Sequence, residues 1–238
     1  MKRNRFILFP IYVVIAALLY SCQTDNYAAP DGTITGSVID KITGKPIITE
    51  QPNGFRIKLE EISWSDAPVP QYFWGKADGT FNYTKLFAAT FKVTPVEGAF
   101  VTPDPQTVEI KSRGVTKVDF TVTPYISFSN VSIVKTGTNI TATFTLTKQV
   151  ATATPQDYRV FATYKTPLVG VTVFDANVFT NPQLVSGPIA LKDADFGKPL
   201  VVTLDNLVAG KLYYVRVGAR CSNASSRYNM TEVVSIQM

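Results

Sequence analysis

The chain contains no histidine and only two cysteines, Cys22 and Cys221. Without histidine, the Ser-His-Asp and Cys-His nucleophilic machineries are both excluded. Zinc sites of mixed cysteine and histidine are excluded too, and two cysteines are too few for a four-cysteine site. If Cys22 is modified, Cys221 has no partner within the chain, so a disulfide framework is ruled out and any bridge would be intermolecular. Helical periodicity is missing: no stretch repeats apolar residues at the spacing of a helix face. Charge is also sparse. The net value is +5, but Lys2, Arg3 and Arg5 precede an apolar run, and the remaining 20 Lys+Arg stand against 18 Asp+Glu. The high isoelectric point is largely a leader effect and gives no argument for nucleic acid. A hydrophobic content of 45% fits a folded protein rather than a disordered one.

What is present begins with the leader. Lys2 to Arg5 is a basic segment, and Phe6 to Tyr20 is an uncharged run of fifteen residues interrupted by Pro10. A spanning helix wants about 20 apolar residues, so the run reads as the core of a signal peptide. Leu19-Tyr20-Ser21-Cys22 resembles a bacterial lipobox. That resemblance implies a signal peptide over 1–21 and a lipid-carrying Cys22 as the first mature residue. One acyl chain binds membranes marginally, whereas two or three such palmitate-like chains anchor stably. Gln23-Thr24-Asp25-Asn26 resembles the export signal of surface-exposed lipoproteins in Gram-negative bacteria. Residues 22–30 read as a tether.

From Asp31 onward the chain alternates as β-strands do. Thr33 to Ile39 is rich in β-branched residues, and Lys41 to Pro46 is a turn. Phe55, Ile57, Leu59 and Glu61 share one face, with Arg56, Lys58 and Glu60 on the other. Further strands are expected over Tyr72–Lys76, Thr80–Thr84, Thr90–Val96, Gln106–Lys111 and Val115–Val122. Short strands divided by turn signals predict an all-β sandwich over 31–123. Pro124 then stiffens the chain, and a second sandwich is expected over 124–238, joined rigidly with Tyr125 at the contact. Its inward faces are Ile140, Ala142, Phe144 and Leu146; Tyr158, Val160, Ala162 and Tyr164; and Tyr213, Val215, Val217, Ala219 and Cys221. A last strand is expected over Met230–Gln237. The segment from Val169 to Lys192 reads as irregular, with an extra strand near Val171–Phe174.

Both tryptophans fall in one hairpin. Trp64 precedes a loop with Pro68 and Pro70, and Tyr72-Phe73-Trp74 follows it. Alternation puts Tyr72 and Trp74 on one face and Phe73 on the other. Such rings either fill the core and cover a sheet edge, stack on sugars, or anchor a protein partner. Trp64, Tyr72 and Trp74 are therefore the candidate ligand-binding residues. Candidate carboxylates for glycosidase chemistry are Asp66, Asp78, Asp193 and Asp195, but nothing in their spacing predicts the paired geometry that reaction needs. Asp78 before Gly79 reads as a turn residue. Asp193-Ala194-Asp195 lacks the glycine cadence of a calcium loop. No metal or cofactor is expected, and the chain reads as a non-enzyme. The Asn-x-Ser/Thr triplets at Asn82, Asn130, Asn139, Asn223 and Asn229 read as chance products of a Thr- and Ser-rich sequence.

Several motifs carry resemblances. Gly36-x-Val38-x-Asp40-x-x-Thr43-Gly44-x-Pro46-Ile47, followed by Asp78-Gly79-Thr80-Phe81, resembles transthyretin-like, or carboxypeptidase-regulatory-like, domains, which implies a non-catalytic accessory module. Leu207-Val208-Ala209-Gly210-Lys211-Leu212-Tyr213 resembles the tyrosine corner of fibronectin type III and immunoglobulin-like domains, in which the Tyr hydroxyl bonds back to the preceding turn. In the order of its parts the chain resembles a family of two-domain lipoproteins of unknown function, encoded beside SusC/SusD-type outer-membrane transporter pairs. That resemblance implies an outer-membrane protein, lipid-anchored and facing the exterior. Its partners would be the membrane, the transporter pair and a polysaccharide or oligosaccharide whose binding or uptake it assists. The alternative is a structural or adhesive surface module with protein partners only.

Overall fold

The computed structural model describes residues 29–238, apart from 182, 183, 186, 223 and 224. The leader expected over 1–21, the expected attachment point Cys22, nearly all of the expected tether, and Asn223 with Ala224 lie outside the described residues. The first half of the chain forms β1 (Gly32–Asp40), β2 (Arg56–Glu61), β3 (Gln71–Trp74), β4 (Thr80–Leu86), β5 (Ala89–Val96), β6 (Phe100–Val101), β7 (Gln106–Ile110), β8 (Val115–Lys117) and β9 (Phe120–Pro124). One sheet runs β4-β1-β9-β6, with β8 also on β1, and the other runs β3-β2-β5-β7. Alternation turns Ile34, Val38, Phe55, Ile57, Phe81, Phe91 and Phe120 into one shared core. Each such side chain contributes about 1.5–3 kcal/mol by leaving water.

The motif glycines have physical causes. A Cβ at Gly36 would come 1.7 Å from the Val118 carbonyl oxygen, so only glycine lets β1 pass that carbonyl. At the same level the Asp119 carboxylate accepts the Ser37 N–H at 2.9 Å, in place of a backbone carbonyl. The strand expected over Val115–Val122 is therefore split there into β8 and β9, both parallel to β1. Gly79 sits at φ +76°, where a Cβ would come 2.4 Å from the Ile47 carbonyl oxygen.

The second half forms β10 (Ile126–Thr136), β11 (Asn139–Lys148), β12 (Thr154–Thr163), β13 (Phe179–Asn181), β14 (Leu184–Val185), β15 (Ile189–Ala190), β16 (Pro199–Asp205), β17 (Leu212–Ser222), β18 (Asn229–Met230) and β19 (Val234–Gln237). Its sheets run β10-β11-β16-β13-β14 and β15-β12-β17-β18, with β19 on β17. Among the described residues the only helical element is a 3-10 turn at Asp193–Asp195, so the fold is all-β and its sheets stack as sandwiches. The expected corner forms: the Val208 N–H donates to Tyr213 Oη at 3.1 Å. Tyr213, Val215, Val217, Ala219 and Cys221 are fully buried, as their alternation predicts. Cys221 behaves as a small core residue, and burial pushes its thiol pKa up.

Two expectations fail here. Val171–Phe174 is not a strand: Gly170 and Val173 exchange hydrogen bonds, and the segment folds back on itself. Its side chains instead help cover a third apolar cluster of Phe161, Val169, Tyr228 and Met230. That cluster lies on the second face of β12 and β17, which are consequently buried on both sides. The strand expected over Met230–Gln237 is broken into β18 and β19, because the Thr231 hydroxyl accepts the Val217 N–H at 3.0 Å and takes the place of strand pairing there.

The two cores belong to one compact unit, Asp31–Met238. The 45–55 loop of the first half docks on the second. Glu50 accepts from Arg227 Nη1 and from the Tyr228 N–H, each at 2.9 Å. Arg216, almost fully buried, donates to the Thr49 carbonyl at 3.1 Å, and burial pushes its pKa down to about 10. The Asn229 side chain donates to the Ala99 carbonyl at 2.8 Å and accepts the Ile126 N–H at 3.0 Å. Tyr125 lies at this seam, its N–H bonded to the Ala99 carbonyl at 3.1 Å.

Candidate functional site

Strand β3 is an edge strand of four residues, paired among the described residues only with β2. Its period of two separates its rings. Phe73 points inward, stacked on Tyr83 with centroids 5.0 Å apart and tilted against Phe81 at 6.1 Å. Tyr72 and Trp74 point outward and remain 45% and 44% exposed. The register places Arg56 opposite Trp74 and Lys58 opposite Tyr72. The Arg56 guanidinium lies 4.4 Å from the Tyr72 ring centre and 5.5 Å from that of Trp74. The hydrogen bond to Glu97 raises the Arg56 pKa further. Arg227, from the second half, approaches the Trp74 ring at 5.8 Å. Guanidinium groups over aromatic faces are favourable by about 0.5–1 kcal/mol at exposed sites. The two rings are thus held from one side by cations, with nearly half of each residue open to solvent.

A pocket of about 510 Å³ adjoins this pair, lined by Glu97, Gly98, Thr102, Tyr125, Ser225 and Arg227 among others. Glu97 and Arg227 are the residues that link it to the rings. Glu97 has φ +60°, an uncommon backbone state for a non-glycine residue. Ser225 Oγ donates to the Gly98 carbonyl at 3.2 Å and closes one wall across the two halves. Desolvation raises the Tyr125 pKa, so its phenol stays a neutral donor. The buried Nε–H of Arg227 has no partner among the described residues. The pocket is therefore lined by a carboxylate, a guanidinium and hydroxyls, and Arg227 connects it to the Trp74 ring. A larger groove of about 850 Å³ lies along Ile42, Ile47, Ile126, Phe128 and Met230, and no exposed aromatic pair is found among the described residues that line it.

Trp64 is elsewhere. It sits 84% exposed on the 62–70 loop, and no ring or cation contact joins it to Tyr72 or Trp74 among the described residues. Of the three candidates from the sequence, the structure brings two together and separates the third. Arg56, Glu97 and Arg227 were not singled out by sequence. Pairing β2 with β3 would have found Arg56, but Arg227 arrives from the other half of the chain. The candidate carboxylates are engaged locally. Asp78 accepts from the Thr80 hydroxyl and N–H. Asp193 pairs with Lys148 at 2.8 Å, and Asp195 accepts the Lys192 N–H at 2.8 Å. Asp66 is exposed. Among the described residues no cluster of three or more acidic, cysteine or histidine ligands forms.

The family described as a domain of unknown function, DUF3823_C, matches residues 126–235. Among curated proteins none matches the chain. Of solved structures, a candidate carbohydrate-binding protein from Bacteroides uniformis is 28% identical, with 88% of this chain and 100% of that one covered and a TM-score of 0.69. A DUF3823 family protein from the same species is 24% identical over 88% and 100%, with a TM-score of 0.72. Another from Parabacteroides merdae is 21% identical over 88% and 100%, with a TM-score of 0.69. The latter two share the fold.

Proposed function

We propose that this protein is a non-catalytic glycan-binding protein held at the cell surface by lipid on Cys22. The observation that carries the reading is the open Tyr72–Trp74 pair, fixed by Arg56 and bordered by the Glu97–Arg227 pocket. A pyranose lays its apolar C–H face on such rings, while its hydroxyls need donors and acceptors together, which Glu97, Arg227, Ser225 and Tyr125 supply. The similarity to a candidate carbohydrate-binding protein supports the same reading. In this role the protein captures polysaccharide or oligosaccharide outside the outer membrane and passes it to a SusC/SusD-type transporter pair.

The test is retention of the full chain in gels containing soluble polysaccharides, with co-purification of the transporter pair from native membranes as a second arm. Trp74→Ala and Tyr72→Ala are each expected to weaken retention about tenfold, equivalent to roughly 1.4 kcal/mol per ring. Trp64→Ala is expected to leave it unchanged. Equal retention of all three variants and the parent protein would remove the platform from the reading. Failure of the parent protein in both arms would leave a structural surface module with protein partners only.

A further inference from the structure

The loops around Trp64 share one pole of the first sandwich, and strand register proves the grouping. Gly32 opens β1 opposite Leu86, so Phe87 lies next to it. Thr33 lies beside Val115. The Asp31 carboxylate accepts from Ser112 Oγ at 3.0 Å and from the Arg113 N–H at 3.1 Å. The Thr90 N–H donates to Ser63 Oγ at 2.6 Å, and the neighbouring Ala89 pairs with Ile110, which touches Gly32. Trp64 and Val69 are 84% and 86% exposed, and Phe87 and Val115 are exposed with them. Lys85, Lys111 and Arg113 belong to the same pole, as do Asp31, Glu61, Asp66 and Glu109, and Arg113 pairs with Asp31 at 3.5 Å. This is also the pole at which the chain arrives from residues 1–30. The apolar side chains are therefore presented where a lipid-bound Cys22 would hold the protein. The link from Cys22 to Asp31 reaches at most about 30 Å, so it permits contact with the membrane without enforcing it.

We infer that this pole rests on the lipid surface, with Trp64, Val69, Phe87 and Val115 seated among the headgroups. Indole favours that boundary because its body is apolar and its N–H edge is polar, and phenyl and aliphatic side chains insert as the apolar face beside it. The inference rests on the proposed lipid at Cys22. It gives the separation of the tryptophans a purpose: Trp64 grips the membrane while Trp74 is lifted away from it. Five residues of β2 separate the level of Glu61 from that of Arg56 and Trp74, about 17 Å at 3.3 Å per residue.

The chain has two tryptophans, so Trp74→Phe and Trp64→Phe each leave one reporter. The lipidated full chain is placed in vesicles of phosphatidylethanolamine and phosphatidylglycerol, with or without bromine on the acyl chains, and flotation is measured first. In the Trp74→Phe variant, Trp64 is expected to shift to the blue and lose about half its emission to brominated lipid, as for a ring seated 5–10 Å into the boundary. In the Trp64→Phe variant, Trp74 is expected to be unaffected. Floating protein with unquenched Trp64, or equal quenching of both rings, overturns the inference and leaves the anchor standing. Protein that does not float overturns the anchor and this inference with it. Glycan retention by Trp74 is read separately and bears on neither result.

Discussion

The 45–55 loop makes a quantitative claim about how the halves hold together, and Glu50→Ala tests it. The Glu50 side chain is 5% exposed and accepts two hydrogen bonds from the second half, one of them from the Arg227 guanidinium. Breaking a buried ion pair by removing one partner costs about 3–5 kcal/mol, since the other is left uncompensated. Arg227 keeps 24% of its side chain in solvent and can partly rehydrate, so the lower end applies: about 3 kcal/mol. For a folded unit of roughly 200 residues each kcal/mol moves the melting temperature by about 2–4 °C. The expected loss is then about 6–12 °C. Glu50→Gln keeps an acceptor for the Tyr228 N–H and should lose roughly half as much. Melting is followed by calorimetry and by tryptophan emission, which reports the first sandwich because both indoles lie there. The two probes should coincide in the parent protein and diverge in Glu50→Ala as the halves uncouple. A shift under about 2 °C with coincident probes would refute the reasoning and make the loop contact incidental.

Two further outcomes follow from local geometry. Tyr213→Phe removes the acceptor of the Val208 N–H and is expected to cost about 1–2 kcal/mol, read as a lower urea midpoint with an unchanged slope; an unchanged midpoint would show that the corner adds nothing. For Asp78, partial burial works to raise the carboxyl pKa, but the Thr80 hydroxyl and N–H with Lys76 outweigh it, and the net value falls below 3.8. A folded-state pKa lowered in this way stabilises above the unfolded value and is lost as pH falls through the folded one. Asp78→Asn should therefore be less stable than the parent at pH 6, and the gap should close below about pH 4; a gap independent of pH would contradict the assignment.

Much of the fold was legible because its signals are local. Ile140, Ala142, Phe144 and Leu146 alternate without interruption, and all four are fully buried. Gly79, in the turn before Phe81, has the left-handed backbone that makes glycine the suitable residue. The failures share one cause, side chains replacing backbone or covering a face from far away in sequence. Asp119 supplies an acceptor at the break between β8 and β9, which no alternation pattern reveals. The apolar residues of Val171–Phe174 look like strand, yet they serve as a lid over Phe161, because hydrophobic spacing does not distinguish a pleated segment from a looped one. The candidate site was half legible for the same reason. Period two put Tyr72 and Trp74 together, but Arg227 reaches Trp74 from more than 150 positions later, and the hairpin's length carries Trp64 away from both.

Strands β1 and β9 run parallel, yet the chain enters at the start of one and leaves toward the second sandwich at the end of the other. A pull between Asp31 and the second half would slide these strands past each other along their length. The hydrogen bonds at Val38–Asp40, and those that β8 adds at Thr33–Thr35, would be strained all at once instead of being peeled apart singly. The first sandwich is thus arranged as a mechanical clamp. A force on the second sandwich, with the Asp31 end held, would meet its greatest resistance along β1. Single-molecule stretching between Asp31 and the C-terminus should show that resistance as one abrupt rupture, whereas gradual yielding would contradict it.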